Sequence, residues 1–240
     1  MTILVATGLH KEAGILRRPG VVVVVGGGDG SRLERELEGA AAGATAILSC
    51  GLAGALAPEL KAGDLVLGSI FPGEGRGPVS QVPQLGPGLR RGSNLVETLR
   101  QHLAAAHVGT ITGSDKIVAS AAQKQALYEA TGALAVDMES HIAARVAARH
   151  NLPFAIIRVI SDSADEVLPP AALVGMKPDG SMALGAVLAS LARNPVQLPA
   201  LIRTGIHAGH AFHALRRVGD VLGSLGIGLA DDLKLPLDMR

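Results

Sequence analysis

The residues best suited to chemistry fall in three short segments. Val136-Asp137-Met138-Glu139-Ser140 reads as a strand running into a helix, with two carboxylates at the junction. A carboxylate at a strand's end faces the crevice where α/β sheets bind ligands. It could equally do no more than favour the positive end of the helix dipole. In Arg158–Asp165 (RVISDSAD) a second apolar strand ends in polar residues, Ser161 and Asp162. An aspartate so placed can hand a proton to a leaving group, or can simply cap a helix or close a turn. The third segment, Cys50–Val66 (CGLAGALAPELKAGDLV), is rich in small residues. These let a backbone approach a ligand closely, although composition alone makes the segment only a tight turn.

The elements that must position these residues follow from composition and periodicity. The 240 residues are 48% apolar, 18% charged and 2% aromatic, with a net charge of +1. That suits one α/β domain, or a domain with an appendage, and excludes a wholly disordered chain. Balanced charge and the shortage of stacking rings argue against nucleic acid as a partner. Cys50 is the only cysteine, so neither an intrachain disulfide nor a cysteine-based zinc cage can form, in keeping with a reducing cytoplasm. No targeting segment is expected, because Met1–Glu12 has no basic stretch before its short apolar run. Residues 39–58 are uncharged over 20 positions, long enough to span a bilayer. Their glycines and closing proline read better as a buried strand entering a glycine turn.

Ile3–Ala6, Val21–Val25, Ala44–Ser49, Asp64–Ser69, Val108–Thr112, Ala133–Val136 and Phe154–Ile160 read as strands. Arg32–Ala42, Asn94–Ala105, Ala121–Thr131, Met138–His150 and Met182–Arg193 read as helices between them. The alternation predicts an α/β fold: a central mixed, largely parallel sheet flanked by helices. Residues 71–92 hold six glycines and four prolines and read as a loop excursion. Pro195 marks a break that divides a catalytic domain, 1–193, from an appended amphipathic helix and tail, 194–240. On a helical wheel Leu201, Ala208, Phe212, Leu215 and Leu222 share one side, and Arg203, His207, His210, His213 and Arg217 the other. Such a helix over 196–222 could lie on a membrane surface, or cap the core or a subunit. The three histidines do not converge tightly enough to predict a metal site. Gly205 and Gly209 weaken the helix by about 1 kcal/mol each.

Four segments, in this order, resemble the nucleoside phosphorylase superfamily, which includes methylthioadenosine/S-adenosylhomocysteine nucleosidases. They are Gly51–Val66, Thr112–Ser120 (TGSDKIVAS), Val136–Ser140 and Pro153–Asp165 (PFAIIRVISDSAD). The overall likeness is greatest to the hopanoid-associated phosphorylases, members with a comparable C-terminal extension thought to remove adenine from adenosylhopane. The resemblance implies that fold, and cleavage of the N-glycosidic bond of a 5′-substituted adenine nucleoside, free or lipid-linked. It implies that Glu139 holds the ribose hydroxyls, that Met138 packs on the sugar, and that Asp162, with Ser161 beside it, protonates N7 of the base. Leu52, Ala53, Ile117 and Val118 would line the base pocket, with Ile117 where nucleosidases of the family usually have a stacking phenylalanine.

The nucleophile is either phosphate or water. Aligning Lys11 with the family's water-activating glutamate puts an ammonium in its place, and an ammonium holds anions. His10, Lys11 and Arg32, with the backbone around Gly28 in the loop Gly26–Gly30, would then surround phosphate as co-substrate. Leu52 stands where some family phosphorylases have a phosphate-binding serine. A shift of one residue restores Glu12 as base and hydrolysis as the reaction. The expectation is therefore a cytoplasmic adenine-releasing phosphorylase, homo-oligomeric, without metal or other cofactor and peripheral to the membrane. A hydrolytic nucleosidase and a non-catalytic nucleoside-binding module are the alternatives. A dinucleotide-binding loop is not expected at Gly26–Gly30, because Ser31 breaks that glycine pattern.

Overall fold

The computed structural model describes residues 2–70 and 87–232. Its elements in chain order are β1 (Thr2–Thr7), α1 (His10–Leu16), β2 (Val21–Val25), α2 (Gly30–Ala41), β3 (Ala44–Ala55), β4 (Leu65–Ile70), α3 (Pro87–His102), β5 (His107–Gly113), α4 (Ala121–Thr131), β6 (Ala135–Asp137), α5 (Ser140–Arg149), β7 (Phe154–Asp162), α6 (Pro170–Leu173), α7 (Leu184–Arg193) and α8 (Leu198–Asp232). The seven strands form one mixed sheet in the order β2-β1-β3-β6-β5-β4-β7, with β3 also paired to β7. That extra pairing closes β3, β6, β5, β4 and β7 into a small barrel. Only the β3–β6 and β4–β7 pairs are antiparallel, so the largely parallel α/β architecture expected from the alternation is present.

The Val/Ile/Leu/Ala-rich strands β1, β3 and β7 are buried on both faces, as strands covered on each side must be. One core cluster joins Leu48, Cys50, Ile157 and Val159 to Leu95, Leu99 and the α8 residues Phe212, Leu215, Val218 and Leu222. The other joins Leu4, Ala6, Ile47 and Ile156 to Leu33 and Leu37 of α2 and Ile142 and Val146 of α5.

Three expectations need correction. The strand read as Ala44–Ser49 continues to Ala55, and the glycines expected to form a turn lie within it. A Cβ on Gly51 would stand 2.9 Å from both Arg158 Nη1 and Glu12 Oε1, and one on Gly54 would stand 3.1 Å from Asp162 Oδ2. These glycines make room for charged side chains. The excursion read over 71–92 ends sooner, because α3 already begins at Pro87; the rest of it lies outside the described residues. Finally, the apolar side of the last helix is not free for a membrane. Phe212, Leu215 and Leu222 are buried in the core, and Ala208 packs against it. Burying that face against the sheet removes the same apolar area from water that a bilayer would, and among the described residues no helix is long and apolar enough to cross a membrane.

Candidate active site

Register brings the three chemistry-bearing segments together. Gly54 of β3 pairs with Val136 of β6 on one side and with Asp162 of β7 on the other. The residues that follow Val136 and those that end β7 therefore open into one hollow at the end of β3. Its walls include Glu12, Leu52, Ala53, Ile117, Val118, Met138, Glu139, Ser161 and Asp162. All nine were expected at a nucleoside site from the sequence. Leu9, Leu168 and Met176 also line it; those three positions carried no signal of their own.

Glu12 sits in the first turn of α1 and is buried. Its Oε2 accepts hydrogen bonds from Thr7 Oγ1 at 2.7 Å, Gly8 N at 2.9 Å and Leu9 N at 2.7 Å, and its Oε1 from Leu52 N at 2.8 Å. Four donors fix the carboxylate, and Oε1 keeps room for a further hydrogen. The one-residue shift that places Glu12 at the site is thus the alignment the geometry supports. Lys11 points elsewhere: its Nζ lies 3.9 Å from the centroid of the Phe212 ring, a cation–π contact with α8.

Beneath the pocket lies Arg158, fully buried in β7. Its Nε stands 2.6 Å from Asp137 Oδ2 and its Nη2 3.4 Å from Glu139 Oε2. Nη2 also donates to Ser49 Oγ at 2.6 Å and Ser140 Oγ at 3.2 Å, and Nη1 to Leu52 O at 3.3 Å. Asp137 in turn accepts from the Glu139 and Ser140 backbone N–H groups and from the Ser140 hydroxyl. One guanidinium thus faces several carboxylates in a dry place. Burial first, then the neighbouring Asp137 and Glu12, pushes the Glu139 carboxyl up to about 7, against the opposing pull of Arg158. An arginine inside the apolar run FAIIRVI was a legible sign of such a cluster, since buried charges must be paired.

Asp162 lines the same hollow. Its Oδ1 is 2.7 Å from Ser161 Oγ, which is also 3.2 Å from Ala53 O. Its Oδ2 accepts from Lys124 Nζ at 2.5 Å, and the Lys124 side chain is wholly buried. A lysine on the polar-looking helix QKQALYE gave no sequence sign of this.

The expected phosphate residues are not gathered at the hollow. None of His10, Lys11, Arg32 or Gly28 lines it. The Arg32 guanidinium donates to the carbonyls of Val25 and Gly26 at 3.0 Å and of Pro178 at 3.3 Å. The α2 N-terminus is occupied by its own cap, Asp29 Oδ1 accepting from Arg32 N at 2.9 Å. Gly28 bridges Asp179, and the His10 N–H is given to Gly180 O at 3.2 Å. The adjoining hollow that Gly28 does line carries four carboxylates, Asp29, Glu34, Asp115 and Glu139, against one cation, Arg145, a balance that disfavours phosphate.

The model of the phosphorylase superfamily matches residues 13–193. The 5′-methylthioadenosine/S-adenosylhomocysteine nucleosidase of Staphylococcus aureus strain MRSA252 is 29% identical over 130 residues, covering 50% of this chain and 57% of that protein. The chain thus spans little more than half the length of the curated relatives it matches. Among solved structures, an S-adenosylhomocysteine nucleosidase from Streptococcus pyogenes in complex with 5-methylthiotubericidin has a TM-score of 0.54 at 21% identity, over 69% of this chain and 85% of that one. A 5′-methylthioadenosine/S-adenosylhomocysteine nucleosidase from Helicobacter pylori with butyl-thio-DADMe-Immucillin-A has a TM-score of 0.59 at 17% identity, over 95% and 98%. These two likenesses concern the fold.

Proposed function

The chain belongs to the phosphorylase superfamily, and on that premise we propose that it hydrolyses the N-glycosidic bond of a 5′-substituted adenine nucleoside, releasing adenine. The observation that carries this reading is that Glu12, Glu139 and Asp162 line one hollow. Breaking the bond makes the sugar oxocarbenium-like and the base anionic. Glu139, with Met138 against the ring, holds the sugar hydroxyls and offsets the positive charge. Asp162, steadied by Ser161, gives a proton to N7, a contribution of about 10²–10⁴-fold. Glu12 takes a proton from the attacking water through Oε1. Leu52, Ala53, Ile117 and Val118 enclose the base by apolar contact in place of an aromatic stack.

Phosphorolysis has less support, because Lys11 and Arg32 are engaged away from the hollow. Adenine release from 5′-methylthioadenosine, followed with and without inorganic phosphate, decides the point. Equal rates, with free sugar as product, are expected. A strict requirement for phosphate and a sugar 1-phosphate product would overturn hydrolysis. Tight nucleoside binding with no adenine released would leave a binding module.

A lipid-linked substrate such as adenosylhopane is a second reading, favoured by one feature. Met176, in the pocket wall, bridges Met182, and Met182, Leu184 and Leu188 are exposed. An apolar 5′ substituent leaving the pocket would find an apolar path there.

Glu139 adds a pH prediction. A carboxylate grips two hydroxyls better than a carboxylic acid does, and the free enzyme's groups govern kcat/KM. With Glu139 at about 7, kcat/KM should rise with pH through that value. In Glu139→Gln the limb should vanish and kcat/KM should fall. A limb that survives the substitution belongs to another group.

A further inference from the structure

We propose that Lys124 and Asp162 act as one proton-delivering pair, with Lys124 positioning the Asp162 carboxylate and supplying the proton it passes to the departing purine. The inference rests on the nucleosidase reading above. Lys124 lies on α4, whose neighbouring glutamines and glutamate suit solvent, yet its side chain is 0% exposed. An ammonium has three hydrogens, and here each has an acceptor: Asp162 Oδ2 at 2.5 Å, Ser163 O at 2.6 Å and Glu166 O at 3.1 Å. Two of these are carbonyls, which fix the lysine in place but neither give nor take a proton. The third is the group that faces the base pocket.

A carboxylate held between a hydroxyl on Oδ1 and an ammonium on Oδ2 has no proton of its own to give. The ammonium has one. As the C1′–N bond breaks, its electron pair passes to the purine. Nζ gives a proton to the Asp162 carboxylate, and the resulting carboxyl group passes a proton to the ring nitrogen. The base leaves neutral, Asp162 ends as carboxylate and Lys124 as amine. Water forms the new C1′–O bond and loses its proton to Glu12. Exchange with solvent after release returns one proton to Lys124 and removes one from Glu12.

The test compares 5′-methylthioadenosine with its N7-methylated form, whose base is already cationic and leaves without a proton. Lys124→Met should lower kcat on 5′-methylthioadenosine by about 10–100-fold and on the methylated substrate by less than about 3-fold. Lys124→Arg should recover part of the loss. The double variant K124M/D162N leaves no buried charge unpaired, so it should fold even where Lys124→Met does not. It should be no slower than Asp162→Asn alone, the non-additivity expected of groups acting as a unit. Equal losses on both substrates, or losses that multiply in the double variant, overturn the pair. Wild-type activity on both substrates with either of those results spares the nucleosidase reading. No base released from either substrate by the wild type overturns both.

Discussion

Replacing Asp162 by asparagine should lower the rate of adenine release by about 10²–10⁴-fold, with melting temperature and KM close to the wild type. The amide oxygen can still accept from Lys124, whose bonds to Ser163 O and Glu166 O hold loop 163–166, and the amide NH2 can donate to Ser161 Oγ, which keeps its own bond to Ala53 O. What the amide cannot do is pass a proton to the base. The loss should therefore appear in kcat, because the interaction removed is one made in the transition state. Released adenine measured by ultraviolet absorbance, beside a thermal melt, separates the two effects. A rate within about tenfold of wild type would place the proton donor elsewhere.

The second large effect concerns stability. Arg158→Met should destabilise the fold by about 3–5 kcal/mol, the cost of removing one partner from a buried ionic cluster. Methionine fills much of the volume but strands Asp137 and Glu139, which the guanidinium faces at 2.6 Å and 3.4 Å. The pH dependence has a definite sign. In the wild type Glu139 binds its proton up to about 7 when folded, against an ordinary value of 4.5. Between those values the folded chain holds more proton than the unfolded one, and the stability Glu139 contributes falls as pH rises. Without Arg158 the opposing pull is gone and the window extends upward. Urea midpoints for the variant should thus lie closer to wild type at pH 5.5 than at pH 8. A deficit independent of pH would mean that packing, not charge, holds this cluster together.

How far the sequence reached can be argued from these residues. Strands and helices were readable because β-branched runs and helical periodicity are local signals. The carboxylates of VDMES and ISDSAD were readable as candidates because they end apolar strands; a cap or a turn explained each equally well alone, and only the four segments taken in order set them apart. Gly51 and Gly54 misled, because glycine as turn-former and glycine as space for a neighbour look alike until the neighbour is seen. Lys11 misled for a related reason: on a short helix, one residue's shift turns a side chain from the pocket toward α8. Lys124 was invisible, since its partner lies 38 positions away and joins it only through the barrel. The apolar side of the last helix could be read as facing a membrane or the core because amphipathicity records that such a side is covered, not by what; here the core covers Phe212, Leu215 and Leu222.

Glu166 gives that last point a practical consequence. Its carbonyl holds Lys124, while its carboxylate is 2.8 Å from His207 Nδ1 and accepts from Thr204 Oγ1 at 3.3 Å, both on α8. Trimming a recombinant version at Arg193, where the matched region stops, would strip the lid from Cys50 and Ile157 and unhook the turn that steadies Lys124 against Asp162. The outcome should be an insoluble or inert fragment, not a minimal enzyme; anyone seeking smaller crystals or easier expression should keep the long helix and shorten elsewhere.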